Sequence, residues 1–231
     1  MQSLKAPTRR EKVERKEDAI VDAARRIFLE KGFARTTMAE IARQAGVADG
    51  TVYLYFKNKE DLARAVVADF YKRLTESAQA GVDALSSTQE CLHFLATHHM
   101  ASITDERRIL EMLPLINTGF ESYGESELFD LNKNYVVIFD RIAKNGQSAG
   151  EIRPNLTPWI LRDIFFGAMD YGFKTMMIRD GRNDIEQFVD ELLGLILIDK
   201  IKPSSTSNPD ALIGRFEAVA DRMEVALRGK S

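Results

Sequence analysis

The spacing of residues 36–56 restricts the fold of this chain more than any other stretch. Thr37 with Glu40 three residues later is a capping box, which starts a helix. Ile41, Ala42 and Ala45 form the buried face of that helix, and Ala42 is small where a crossing helix must come close. Gly46 supplies the unusual backbone angle of a turn. Val47 fills the angle behind it, while Val52, ten residues after Ala42, and then Phe56 anchor a second short helix. A small residue, a glycine and a β-branched residue at these offsets mark a helix-turn-helix. The outward positions of the second helix are Asp49, Gly50, Thr51, Tyr53 and Tyr55. Gly50 lets the backbone approach a phosphate, and Thr51 and the tyrosines offer hydroxyls. Residues 58–61 read as the cap and first turn of the next helix, with Lys59 placed to meet a phosphate.

Before this stretch, Ile20, Ala23, Ala24, Ile27 and Phe28 recur at spacings of three and four, one apolar stripe on a helix that ends at Lys31. Gly32 is its stop and Phe33 returns to the core. Residues 1–16 carry six basic side chains against Glu11 and Glu14, an arm expected to be mobile up to about Arg10 and able to reach phosphates. Residues 1–60 hold 13 Lys/Arg against nine Asp/Glu, and the remainder 19 against 26. A basic end on an acidic body fits a polyanion-binding head joined to a different second domain. With 45% hydrophobic and 29% charged residues the composition is that of a globular protein. The single cysteine, Cys91, cannot form an internal disulfide, which points to a reducing, cytoplasmic setting. The N-terminus has no apolar signal region and no run of about 18 apolar residues offers a membrane span.

Gly32-Phe33, Thr36-Thr37, Ile41-Ala42, Ala45-Gly46-Val47, Gly50-Thr51 with Tyr53, Tyr55 and Phe56, and Lys59-Glu60 with Leu62 resemble the N-terminal domain of TetR-family transcriptional regulators. The resemblance runs in register over roughly residues 17–65. It implies a three-helix DNA-binding head on an all-helical body that binds a ligand and dimerises. It further implies DNA contacts, mostly to the backbone, for the residues matching Thr37, Thr51, Tyr53, Tyr55 and Lys59. Thr36, Ala48, Asp49 and Gly50 complete the expected DNA-binding set. Ala48 stands where many members carry a capping serine, so Asp49 is the candidate cap.

The body shows neither a repeat nor strand-like alternation. Leu62, Val66, Phe70 and Leu74 place residues 62–82 on one long helix that joins head to body without a flexible linker. Further helices are expected from Ser86-Ser87-Thr88, over residues 106–118 with a kink or break at Pro114, and over residues 126–144 closed by Asn145-Gly146 and Gly150. Residues 159–178 are apolar on nearly every side and must be covered all round. Residues 185–198 are similarly rich. The family's dimer is a four-helix bundle of two such helices per subunit, which implies dimerisation through Trp159, Phe165, Met176, Phe188, Leu192 and Leu195. A polar Ser/Pro linker at 202–209 and a last amphipathic helix at 210–227 lie beyond the family's usual ending.

An enzyme is the rival class. Glu90-x-x-His93 has di-iron spacing, but such a site needs a second copy of the motif, and the three histidines (His93, His98, His99) all fall on one helix. No phosphate loop, nucleophile elbow or Cys-His pair is present. We therefore expect no catalytic residues, no metal and no cofactor. A binding pocket is better supported: Met100, Met112, Leu113, Ile116, Phe120, Phe139, Phe166, Met169, Tyr171 and Phe173 come from several helices, and such side chains line adaptable apolar cavities as well as ordinary cores. Residues 161–170 are similar to the matching helix of TetR-family regulators of fatty-acid degradation, which bind long-chain acyl-CoA.

The expected fold is all-α, a three-helix helix-turn-helix head on a larger helical-bundle domain for ligand binding and dimerisation. Its expected segments are an arm plus DNA-binding domain at 1–60, a ligand-binding and dimerisation domain at 61–202, and a linker with an extra helix at 203–231. The expected function is a ligand-responsive repressor on a palindromic DNA operator, released by a hydrophobic effector. A long-chain acyl-CoA is the leading effector and a drug-like or aromatic compound the alternative; a small helical enzyme or carrier is the non-regulator alternative. No membrane partner is expected.

Overall fold

A computed structural model describes residues 8–116, 126–178 and 185–198. Among them the chain forms helices and no strand; one isolated antiparallel bridge, Ile152 to Leu197, is the sole β pairing. The first helix, α1 (Arg9–Lys31), begins at Arg9, so the 1–16 arm, expected to be mobile up to about Arg10, is helical from Arg9. Its stripe of Ile20, Ala23, Ala24, Ile27 and Phe28 is buried as the spacing requires. Next come α2 (Met38–Ala45) and α3 (Asp49–Tyr55). Thr37 caps α2 and Glu40 returns the bond, closing the capping box. Gly46 has φ 69°, a left-handed position that disfavours a Cβ, and the Val47 N–H reaches back to Ala42 O at 3.0 Å. Ile41, Ala42, Val52 and Phe56 are all buried; α2 packs on α1 and α3 on α2.

Asn58 then caps α4 (Lys59–Asp83), accepting from the Asp61 N–H at 2.7 Å. This one helix of 25 residues carries head residues at its start and packs on α1, on α5 (Thr88–Asp105) and on α8 (Glu127–Ser148) further along. Two single turns, α6 (Arg107–Leu110) and α7 (Leu113–Ile116), follow α5. The expected helix over 106–118 is thus split, and the break falls at Glu111-Met112 rather than at Pro114. Breaking two residues earlier puts Pro114 in the first turn of α7, where its missing N–H has no helical partner to lose.

Helix α8 does not end at Asn145-Gly146; it continues to Ser148, and the expected Gly150 follows its cap with φ 69°. Gly146 is a packing position, since a Cβ there would lie 2.7 Å from side-chain atoms of both Ile152 and Thr88. Helix α9 (Pro158–Ile178) opens with its proline in the first turn, and α10 (Ile185–Ile196) returns beside it. The two lie so close that a Cβ on Gly172 would sit 2.6 Å from the Phe188 ring. Arg153 bonds Ile196 O and Leu195 O, tying the α8–α9 connection to the end of α10. The linker and last helix expected at 202–227 lie outside the described residues.

Candidate nucleic-acid interface and effector cavity

The head presents α3 as its outer helix. Val52 is buried beneath it, while Tyr53 is 55% and Leu54 83% exposed. Ala48, Asp49 and Gly50 are also exposed, and Thr51 and Tyr55 are half-buried. The residues expected at a DNA surface are therefore assembled at one end of the head, with three differences. Asp49 does not cap: Ala48 holds the cap position and no side chain bonds the free N–H groups there. Thr36 is only 2% exposed, and its hydroxyl donates to Gly32 O at 2.8 Å. It pins the turn after α1 and has no surface to offer a phosphate. Lys59 is likewise engaged from within. Its Nζ donates to Phe33 O and Thr36 O, both at 2.9 Å, and lies 4.3 Å from the centre of the Phe33 ring. With two of its three donors so used, Lys59 is first a clasp for the α1–α2 connection. Thr37 is shared in the same way, its hydroxyl paired with Glu40 at 2.9 Å. Lys31 and the Thr37 N–H bond the Glu40 carboxylate and hold it down at a pKa of about 2. Leu54 and Lys57, both exposed on this face, were missed by the sequence reading. The period that made Val52 and Phe56 inward also made Leu54 outward, and only its apolar character hid it.

In the body, a cavity of about 990 Å³ opens between α4, α5, α6, α7, α8 and α9. Of the expected ligand residues, Phe166 and Phe173 line it, together with Leu113. Met100, Met112, Ile116, Phe139 and Met169 do not; all five are buried in the packed core between helices. Tyr171 is 74% exposed and faces away from the lining, and Phe120 lies outside the described residues. The walls the sequence reading missed are Phe70, Tyr71 and Leu74 of α4 and the polar pair His99 and Tyr135. His99 could have been suspected from its place on the apolar stripe of α5 beside Leu92, Leu95 and Ala96. Among the described residues four cations reach the cavity. Arg162 is paired with Asp140 at 2.9 Å and Arg107 with Glu111 at 3.4 Å, whereas Lys133 and Lys174 are exposed and without an ion pair among the described residues.

Helices α9 and α10 carry the expected dimer residues on two different faces. Phe165, Met176 and Leu192 are buried within the chain, and Phe188 packs on Gly172, so these four hold the two helices to each other and to the body. Trp159 and Leu195 are exposed, the latter at 67%. They share the outside with Ile164, Tyr171, Met177 and Ile178, which leaves an open apolar face on helices expected to be covered all round. His93 lies 3.2 Å from Glu186, and Glu90 completes the capping box of Ser87. No helix among the described residues is long and apolar enough to cross a membrane.

A family described as bacterial regulatory proteins of the tetR type matches residues 20–66, and a second, the YsiA-like protein C-terminal region, matches residues 70–199. A fatty acid metabolism regulator protein of Bacillus subtilis is 29% identical over 180 residues, 77% of this chain and 92% of the relative. The transcriptional repressor DhaR of a Mycobacterium species is 24% identical over 187 residues, 74% of this chain and 86% of its own. The crystal structure of the regulator FadR from Bacillus subtilis, in complex with stearoyl-CoA, superposes with a TM-score of 0.64 at 29% identity, over 77% of this chain and 96% of that one.

Proposed function

The chain belongs to the TetR family of bacterial regulatory proteins, a ligand-responsive DNA-binding regulator, and from that premise we propose a cytoplasmic homodimeric repressor whose effector is a long-chain acyl-CoA. One observation carries the ligand-responsive part: α4 starts as a capped helix in the head and its Phe70, Tyr71 and Leu74 form a wall of the cavity. A ligand pressing on those side chains moves the helix that holds the head. The cavity suits an amphipathic occupant, with an apolar interior and exposed Lys133 and Lys174 at its rim for an anionic head group. The relative bound to stearoyl-CoA supports the same class.

In this reading Ala48, Asp49, Gly50, Thr51, Tyr53 and Tyr55 enter the major groove, with Thr37 and the free donor of Lys59 at the backbone. Two heads then meet the half-sites of a palindromic operator about one turn of DNA apart. The open face of α9 and α10 pairs with its copy as a four-helix bundle, Trp159, Tyr171, Ile178 and Leu195 at its centre. Residues 8–60 act as the head and residues 61–198 as the ligand-binding and dimerising body, joined through unbroken α4.

A mobility-shift titration on the promoter region of the protein's own gene tests this. The protein retards that DNA, and stearoyl-CoA releases it, with a loss of affinity of about 1–3 kcal/mol. Release by an aromatic drug-like compound but not by any acyl-CoA would overturn the effector class, and absence of retardation would overturn the operator.

A further inference from the structure

One glycine of the head has no task inside the chain. Gly50 lies in α3 without the positive φ of Gly32 and Gly46, and a Cβ built on it would meet nothing within 4 Å. Neither backbone conformation nor internal packing calls for glycine there, and alanine is the better helix former. What the missing side chain leaves is clearance on the outside of the helix. Leu54 follows four residues later, on the same side and one turn further along. Val52 is fully buried, and Gly50 and Leu54 stand two residues before and after it, each about 200° away around the helix. Leu54 is 83% exposed, and no large apolar side chain among the described residues is more so. The face opposite the head core therefore offers bare backbone at one turn and an uncovered leucine at the next.

We propose that Leu54 is a specificity-determining residue that reads the C5-methyl group of one thymine in each half-site of the operator. The inference rests on the reading that α3 enters the major groove, and it adds a side chain from outside the hydrogen-bonding set. The groove presents donors and acceptors on every base pair, and its one apolar group is the thymine methyl. Leucine can neither donate nor accept. Set against the N7 and O6 of guanine, or the amino group of adenine or cytosine, it would strip water from polar atoms and return no bond. Against the methyl it buries carbon on carbon and leaves those atoms their water. Gly50 makes the approach possible: with no Cβ there the backbone of α3 comes close to the DNA, and a side chain no longer than leucine's reaches a base edge from the next turn. The hydroxyls of Thr51 and Tyr53 then serve polar groups, and Leu54 supplies the apolar contact.

Footprinting on the promoter region of the protein's own gene supplies a duplex in which each thymine is replaced in turn by deoxyuridine, which lacks only the methyl. Titration of the intact protein against each duplex tests the proposal. One thymine in each half-site is sensitive, and loss of its methyl weakens binding about fourfold. Leu54→Ala binds the unmodified duplex more weakly by about the same factor and is indifferent to deoxyuridine at that position. Its melting curve is unchanged, because the side chain stands in solvent. Leu54→Met, apolar and of similar reach, keeps the discrimination. If Leu54→Ala and the unaltered protein respond alike to deoxyuridine at every position, the thymine reading is wrong and DNA binding by α3 stands. If the unaltered protein binds no part of the promoter region, the operator reading fails and takes this inference with it.

Discussion

The Glu106 carboxylate takes two hydrogen bonds from Arg25, from Nε at 3.1 Å and Nη2 at 2.5 Å, joining the turn before α6 to the first helix of the head. Arg73 of α4 reaches the same carboxylate at 3.1 and 3.3 Å. Beside it, Arg108 bonds Leu29 O at 2.7 Å and Glu30 O, closing the end of α1. Removing the acid leaves Arg25 without its partner and Arg73 with Asp69 alone, 2.8 Å away. Glu106→Ala is expected to destabilise the fold by about 2 kcal/mol, less than a fully buried triad because both arginines are partly in water. Urea unfolding measures it, and Glu106→Gln, which keeps the shape, should lie between.

Acid sensitivity follows from the same groups. Burial alone would raise the Glu106 carboxyl, but the hydrogen bonds and charges of Arg25 and Arg73 outweigh it and set it below its ordinary value. Glu40 lies lower still, at about 2, through Lys31 and Thr37. A folded-state value below the unfolded one gives stability that is full above the unfolded pKa and lost as pH falls. Burial also lowers the His98 imidazole, so the thermal unfolding temperature is expected to begin falling below about pH 6.5 and to drop further from about pH 4.5 down toward 2. Thr37→Ala should shrink the Glu40 share of that drop and itself cost about 1 kcal/mol.

Tyr53 and Lys59 should fail differently. Tyr53 stands in solvent on α3, so Tyr53→Ala is expected to weaken operator binding by about 1–3 kcal/mol with unchanged unfolding. Lys59 clasps two carbonyls, so Lys59→Ala should lower the melting temperature as well as DNA affinity. Fluorescence anisotropy on operator DNA beside a thermal melt separates the two.

In the proposed dimer the outer apolar face of α9 and α10 forms the interface. Tyr171→Glu with Leu195→Glu puts charge on two of its most exposed apolar positions and is expected to give a monomer in light scattering, folded but weak on a two-half-site operator. By contrast Gly172→Leu drives a side chain into the Phe188 ring and should cost about 1–3 kcal/mol in folding.

The head was legible because its rules are local. Capping box, glycine turn and the inward spacing of Ala42, Val52 and Phe56 each depend on neighbours within a few residues. The inward bonds of Thr36 and Lys59 were not foreseen because a polar side chain beside a surface can serve either DNA or its own backbone, and the difference lies in where the Gly32, Phe33 and Thr36 carbonyls end up. The cavity was less legible still. Met100, Met112, Phe139 and Met169 are as apolar as any pocket lining, but whether a side chain meets another helix or a void depends on how helices distant in sequence cross. His99 and Tyr135 are found there by packing, not by pattern.

Helix α4 has a consequence for how such a regulator can change over evolutionary time. Its side chains serve head core, ion triad and cavity wall on one unbroken backbone, with no glycine before Gly81 to separate them. A substitution at Phe70, Tyr71 or Leu74 that adapts the cavity to a new effector therefore also alters operator affinity. The walls supplied by α5, α8 and α9 carry no such double duty to the head, so a substitution there can change effector preference while leaving α4 untouched.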